Sequence, residues 1–259
     1  MFLRRLCVCA LISVAAAYAQ GRRGPGREGP GFRILDAQPG RPGPVVKGAP
    51  YSADVSSEFT QTLADGNKIH RMTSDRVYRD SEGRTRREAS LAALGSTAGT
   101  NSPQVAFVDD PVAGVSYALD LTNRTATKMS FRPPPPGNGP RPNFQPRQRA
   151  NDANFKRESL GRQMVAGVPA DGTRTTQTIP AGQIGNSLPL VIVTERWYSP
   201  DLQTVVLEKR SDPRSGESVF QLNNIIRAEP PSTLFAPPAD FQVVPPGPRM
   251  RRPPASPPQ

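Results

Sequence analysis

The sequence has little thiol or imidazole chemistry, with two cysteines and one histidine in 259 residues. Residues 1–19 have the features of a secretion signal: a positively charged start, a short apolar run and an Ala-Tyr-Ala ending. We expect cleavage after Ala19, which removes Cys7 and Cys9. The mature chain then has no thiol for a disulfide, a thiolate metal site or a cysteine nucleophile.

Long apolar runs and catalytic motifs are also missing. After the signal, no segment approaches the about 20 apolar residues of a membrane-spanning helix, so we expect a soluble product in the periplasm or outside the cell. His70 is the only histidine and no Gly-x-Ser-x-Gly sequence occurs, which argues against a serine hydrolase and a histidine-rich metal site. We therefore predict no enzyme activity and no cofactor, with His70 on a sheet surface and Asp109 and Asp110 capping a turn.

The positive charge lies in segments of low complexity. Residues 21–48, 132–149 and 245–259 together carry thirteen Lys/Arg, two acids and 19 of the 31 prolines, so their net charge is +11. The remaining mature sequence sums to about −2, because the mature chain carries +9. Segments rich in proline, glycine and arginine cannot bury enough apolar surface to offset the entropy of ordering. We expect 20–48, 132–149 and 245–259 to be disordered.

Two interpretations of these basic segments stay open. They serve either as solvated linkers and tails, or as contacts to an anionic surface such as phospholipid headgroups, lipopolysaccharide or another envelope polyanion. Nucleic acid ranks a poor third and is not expected as a partner, because no groove-reading motif is present and the export compartment offers little of it. The sequence does not determine the oligomeric state.

Residues 190–229 contain the strongest structural signal. Three apolar, β-branched runs are separated by Ser199-Pro200-Asp201 and by 211–216, which predicts a three-stranded antiparallel meander. Similar strand signals recur every 8 to 12 residues across 49–244 with little helix. The fold class is therefore mainly β, a single curved antiparallel sheet like a half-barrel, interrupted by the Pro/Arg-rich loop 132–149.

Three local features of this prediction are less regular. The run 87–94 ends at Gly95 and permits one or two turns of helix. Separate strands are expected at 68–73 and 75–80, and the connection before the strand 173–179 is expected to span 167–172. Near the C-terminus, the spacing of Leu234, Phe235 and Phe241 predicts an extended segment that plugs the edge or end of the sheet.

The order of these features is similar to that of known secreted proteins. A strand ending in Glu195-Arg196-Trp197-Tyr198-Ser199-Pro200 precedes a Val-Val-Leu-Glu-Lys strand, a Leu-Asn-Asn-Ile strand and the closing 234–241. This arrangement resembles uncharacterised secreted bacterial proteins and, more distantly, the periplasmic lipoprotein-carrier and lipoprotein-sorting (LolA/LolB-like) superfamily. The resemblance implies a half-open antiparallel barrel with an apolar concave face, closed by helices, that holds acyl chains.

Period-two aromatic and aliphatic residues are the candidates for a ligand site. Aromatic rings give a site large apolar area for few frozen torsions. The leading hypothesis is a non-enzymatic envelope module whose concavity binds a lipid or lipoprotein, and the alternative is a structural or interaction protein that binds anionic envelope polymers or partner proteins through its basic segments. Because buried core and ligand lining demand the same pattern, both roles stay open for the candidates, which are Tyr117, Leu119, Trp197, Tyr198, Phe220 and Leu222.

Overall fold

The computed structural model describes residues 45–90, 104–131 and 153–245. These residues form one open sheet of twelve strands that does not close into a barrel, in the order β12-β6-β5-β4-β3-β2-β1-β11-β10-β9-β8-β7. The strands are β1 (Tyr51–Thr62), β2 (Lys68–Arg79), β3 (Thr85–Ser90), β4 (Gln104–Asp110), β5 (Val115–Asp120), β6 (Thr125–Ser130), β7 (Phe155–Val165), β8 (Val168–Ile179), β9 (Leu190–Ser199), β10 (Thr204–Asp212), β11 (Gly216–Ile226) and β12 (Gln242–Val244). The predicted mainly β fold with little helix is confirmed, since helix in the described residues is limited to a 3₁₀ turn at Ser232–Phe235.

Two meanders make up the sheet. Strands β1 to β6 follow one another in space, as do β7 to β11, and the halves join where β1 pairs antiparallel with β11. The short strand β12 adds to β6 in parallel, and no other parallel pairing occurs within the described residues. The three-stranded meander predicted for 190–229 is confirmed as β9, β10 and β11.

The structure corrects three local predictions. Residues 87–90 continue β3 instead of starting a helix, because they pair with β4; residues 91–94 lie outside the described part of the chain. The runs 68–73 and 75–80 form one strand, since β1 is long enough to pair with all of β2. The connection between β7 and β8 is a turn at Ala166 and Gly167, and 168–172 already belong to β8.

Several predictions concern residues outside this description. The signal segment with Ala19, the loop 132–149 and nearly all of 20–48 and 245–259 fall there, so their predicted disorder stays a prediction. Residues 45–48 are described, and the Gly48 amide donates to the Ser81 carbonyl over 2.9 Å.

Two apolar clusters stabilise the sheet. The larger includes Tyr51, Val77, Trp197, Phe220 and Leu222, with residues from β1, β2 and β7 to β11. The smaller lies on β4 to β6, where the C-terminal segment packs Phe235, Leu234 and Phe241 against Ala106, Val108, Leu119 and Ala126. The predicted packing of Leu234, Phe235 and Phe241 against the sheet is thus confirmed, but the predicted extended conformation is wrong, because Ser232–Phe235 form a 3₁₀ turn.

The clusters lie on opposite faces of the sheet at β2. Val77 belongs to the larger cluster, while its neighbour Tyr78 packs against the smaller. Adjacent residues of a strand point to opposite faces. The single sheet therefore has a core on each side.

The sheet curves around the face that carries Phe220. Phe220 is 2% exposed and Ser218 is 6% exposed, although no described helix or second sheet covers them. On the opposite face, Met72 is 68% exposed. Because a flat single sheet would expose both faces alike, the curvature of the strands themselves buries the Phe220 side, hereafter the inner face.

One buried arginine, the last residue of β2, joins three parts of the chain. Arg79 is 6% exposed, and its Nε and Nη2 donate to the Ala49 carbonyl over 3.0 and 2.8 Å. Nη2 also donates to the Leu202 carbonyl in the β9–β10 turn, and the guanidinium lies 4.7 Å from the Tyr51 ring centroid. Burial lowers the pKa of Arg79 and raises the pKa of Tyr51.

The absence of a side chain at Gly172 leaves room for the Trp197 ring. A Cβ at this position would lie 2.5 Å from Cζ3 of Trp197, which sits directly across the β8–β9 pair. We expect Gly172→Ala to lower the free energy of unfolding by about 1–3 kcal/mol through overpacking. Urea unfolding checks this, and in the double variant with Trp197→Leu the two losses should be less than additive. Strict additivity would contradict the contact.

Candidate functional site

The structure divides the six predicted ligand residues between the two clusters. Trp197, Phe220 and Leu222 belong to the larger cluster and are at most 7% exposed. Leu119 is buried in the smaller cluster, and Tyr117 is half-buried against it. These five residues belong to the two cores, and they do not line one common surface.

Tyr198 differs from the other five candidates. It is 40% exposed, beside the buried Trp197. This difference in exposure agrees with the expectation that neighbouring strand residues point to opposite faces. Their role in binding a ligand stays a prediction.

The strand register aligns residues that are far apart in sequence into rows across the inner face. One residue from each of seven neighbouring strands lies directly opposite the next, so all seven share the inner face. We name this set the arginine row. Its members, from β7 to β2, are Arg157, Thr175, Thr194, Arg210, Ser218, Phe59 and Arg71.

A second row runs beside the first, two residues along each strand. We name it the Phe220 row, and its members from β7 to β2 are Ser159, Thr173, Arg196, Glu208, Phe220, Ser57 and Thr73. The Arg196 Nε lies 3.8 Å from Glu208 Oε2. Hydroxyls and charged groups therefore dominate both rows.

The rows carry more positive than negative charge. They contain four arginines and a single carboxylate, Glu208. Among the described residues, neither Arg71 nor Arg157 forms an ion pair, whereas Arg76 and Arg174 on the opposite face pair with Asp54 and Glu195 at 3.2 and 2.6 Å. The inner face thus has cationic groups available to an anion.

Asp212 fixes the central arginine of the row. Its carboxylate is 2.7 Å from Arg214 Nη2 and 3.1 Å from Arg210 Nη2, and the Arg214 amide donates to it over 3.1 Å. The hydrogen bond from Arg214 is the largest cause that lowers the pKa of Asp212 to about 2. Arg210 is therefore held in position while 39% of its side chain stays exposed.

Stability should depend on this carboxylate and on pH. Because the folded pKa of Asp212 lies below its unfolded value, its contribution is complete above about pH 4 and is lost as the pH falls toward 2. We expect Asp212→Asn to lower the free energy of unfolding by about 2 kcal/mol at pH 7. Urea unfolding at pH 7 and pH 2 checks this, since the gap between the two proteins should close at pH 2. A gap that persists would show that the stabilisation does not come from the charge.

The other side chains that could act in catalysis or metal binding form structural contacts. The His70 Nε2 lies 2.9 Å from Glu58 Oε1 on an exposed surface, as predicted for a sheet-face histidine. Asp110 accepts from the amides of Val112 and Ala113 over 2.8 Å each, which confirms its turn-capping role. In residues 45–90, 104–131 and 153–245, no three His, Cys, Asp or Glu side chains are grouped to hold a metal ion.

Buried carboxylates also occur on the sheet. Burial raises the pKa of Asp109, which accepts a 2.5 Å hydrogen bond from Ser116 Oγ on the neighbouring strand. The predicted turn-capping role of Asp109 is therefore wrong, because the turn amides donate to Asp110. Asp75 is 6% exposed and its Oδ2 lies 2.5 Å from Arg87 Nη2. Each has a neutralising or hydrogen-bonding neighbour, as buried carboxylates require.

Several solved structures are similar to the chain at low sequence identity. The chain is similar to MucB in the complex structure of Pseudomonas aeruginosa MucA/MucB, with 15% identity, a TM-score of 0.42, and coverage of 76% of this chain and 59% of that chain. It therefore spans about three fifths of that protein's length. An uncharacterised conserved protein from Thermus thermophilus matches with 11% identity, a TM-score of 0.40, and coverage of 76% of this chain and 90% of that chain.

A LolA superfamily protein from Nitrosomonas europaea also matches, with 11% identity, a TM-score of 0.32, and coverage of 73% of this chain and 90% of that chain. This last protein bears the name of the superfamily that the order of the sequence features resembles. No protein-family model and no curated protein matches the chain. At these identities and TM-scores the likeness assigns no function, which has to come from the residues of this chain.

Within the described ranges, no helix has the length and apolar character needed to cross a membrane.

Proposed function

We propose that this chain is a non-catalytic binding protein of the bacterial envelope, and that the inner face of its curved sheet binds an anionic ligand. The observation that supports this most is the pair of rows on that face, where four arginines stand among hydroxyls with one carboxylate. Arginine suits this role because its planar fork of donors matches carboxylate and phosphate groups.

The secretion signal predicted for 1–19 supports the location. Export through that signal would deliver the folded sheet to the periplasm or the exterior, where anionic lipids and polymers are the abundant partners. The lone exposed histidine and the caps formed by the turn carboxylates support a role without catalysis.

A lipidic ligand is the second candidate. It is favoured by Phe59, which is half-buried in the arginine row, and by Ile69, half-buried farther along β2. Side chains of this kind would contact an acyl chain while the arginines hold its acidic headgroup. The burial of Trp197, Phe220 and Leu222 favours the third reading, in which the sheet is only a scaffold.

Native mass spectrometry of the mature protein, purified gently from its own host, tests this proposal. We expect a co-purifying mass near one-to-one stoichiometry whose extract contains carboxylate or phosphate groups. If that mass is a lipid, the second candidate is favoured. An apo mass that persists after addition of both acidic lipids and acidic glycans would contradict binding and leave the sheet as a scaffold.

A further inference from the structure

We propose that the arginine row binds an extended acidic polysaccharide that lies across the strands. This inference rests on the proposed function and deepens it, because it names the chemical class of the anionic ligand. It follows from how the charges, hydroxyls and aromatic ring are spaced along the row.

The arginines of the row are evenly spaced. Arg157, Arg210 and Arg71 stand on β7, β10 and β2, so three strand steps separate each from the next. At about 4.8 Å per step, the arginines are about 14 Å apart and the row spans about 29 Å along the sheet. A single headgroup cannot reach all three, whereas a polymer with repeated acid groups can.

The residues between the arginines suit a sugar chain. Thr175 and Thr194, both half-buried, supply hydroxyls that can donate and accept hydrogen bonds, which matches the hydroxyls of a glycan. Phe59 lies next to Arg71 across the β1–β2 pair and offers an aromatic surface to a sugar ring. An acyl chain laid along the same path would instead cover the hydroxyls of Thr175 and Thr194 without offering them hydrogen bonds.

Charge also separates this row from the opposite face. Arg71 and Arg157 form no ion pair with a described residue, and Arg210 keeps part of its side chain exposed although Asp212 fixes it. Binding an acid group at Arg71 or Arg157 therefore breaks no ion pair of the described structure. Around Arg210 the nearest carboxylate, Asp212, is itself paired with both Arg210 and Arg214, so among the described residues the free cationic groups of the row are Arg71 and Arg157.

Calorimetric titration of the full mature chain with galacturonate oligomers tests the proposal. Arg71→Gln/Arg157→Gln removes two charges from the row, and Lys68→Gln/Lys209→Gln removes two from the other face of the same sheet as a matched control. We expect the first variant to bind about tenfold more weakly or worse, and the control to change less than twofold. Affinity of the parent protein should rise with oligomer length until the chain spans about 29 Å.

Three outcomes would overturn the inference. Equal losses in the two double variants would show that general electrostatic attraction, including that of the basic terminal segments, holds the polymer. Binding of dodecyl phosphate or inorganic phosphate without binding of galacturonate oligomers would refute the polysaccharide and keep the proposed anion site. Binding of none of these probes would overturn the proposed function as well. Circular dichroism of both variants confirms that they are folded.

Discussion

Replacing Phe220 by alanine is expected to lower the free energy of unfolding by about 3–5 kcal/mol. The ring is 2% exposed in the larger cluster and stands on β11, the strand that joins the two halves of the sheet. Alanine would leave a cavity between β1 and β10 because the strands on both sides are fixed by their own pairing. Urea unfolding monitored by far-UV circular dichroism measures the loss.

Phe59→Ala is the matched control for this prediction. Phe59 lies on the neighbouring strand and the same face, but it is only half-buried. We expect its loss to be well below that of Phe220→Ala, and its galacturonate affinity to fall while the protein stays folded. If Phe220→Ala were as stable as the parent protein, Phe220 would line an accessible surface and the sequence-based role in ligand binding would be restored.

The second large effect is expected at Arg79. Arg79→Met leaves the carbonyls of Ala49 and Leu202 buried without their donors, and each such group costs about 1–3 kcal/mol. We expect the free energy of unfolding to fall by about 3 kcal/mol in total. Thermal and urea unfolding of the purified variant provide the measurement.

Arg76→Met controls for the loss of an arginine from the same strand. Its side chain is 65% exposed and pairs with Asp54 at 3.2 Å on the outer surface, so we expect a change within about 0.5 kcal/mol. Similar losses in the two variants would mean that the buried hydrogen bonds of Arg79 contribute nothing beyond a surface arginine.

Much of the sheet follows from local pattern. The turn at 65–67 and the alternation of Val115, Tyr117 and Leu119 determine where strands begin and end, because turn residues and period two are local properties. The one or two turns of helix that the sequence permits at 87–94 do not form at 87–90, for the opposite reason. These helix-permissive residues pair with β4 in the sheet instead, since tertiary pairing overrides weak helix propensity.

The candidate site was harder to predict because it depends on register. Arg157, Arg210 and Arg71 are far apart in sequence, and only the pairing of seven strands aligns them. The apolar candidates followed the period of a buried face, and that period is the same for a core and for a ligand lining. Trp197 and Leu119 lie in different clusters. No pattern in the sequence predicts this division.

Backbone-amide NMR of the mature protein, titrated with a galacturonate oligomer long enough to cross seven strands, tests the central claim most directly. If the ligand binds on the inner face, chemical-shift changes run across the sheet through Thr175, Thr194, Ser218 and Phe59, with little change around Leu119 in the smaller cluster. Changes confined to the basic segments 132–149 and 245–259, or no changes at all, would contradict binding on the inner face.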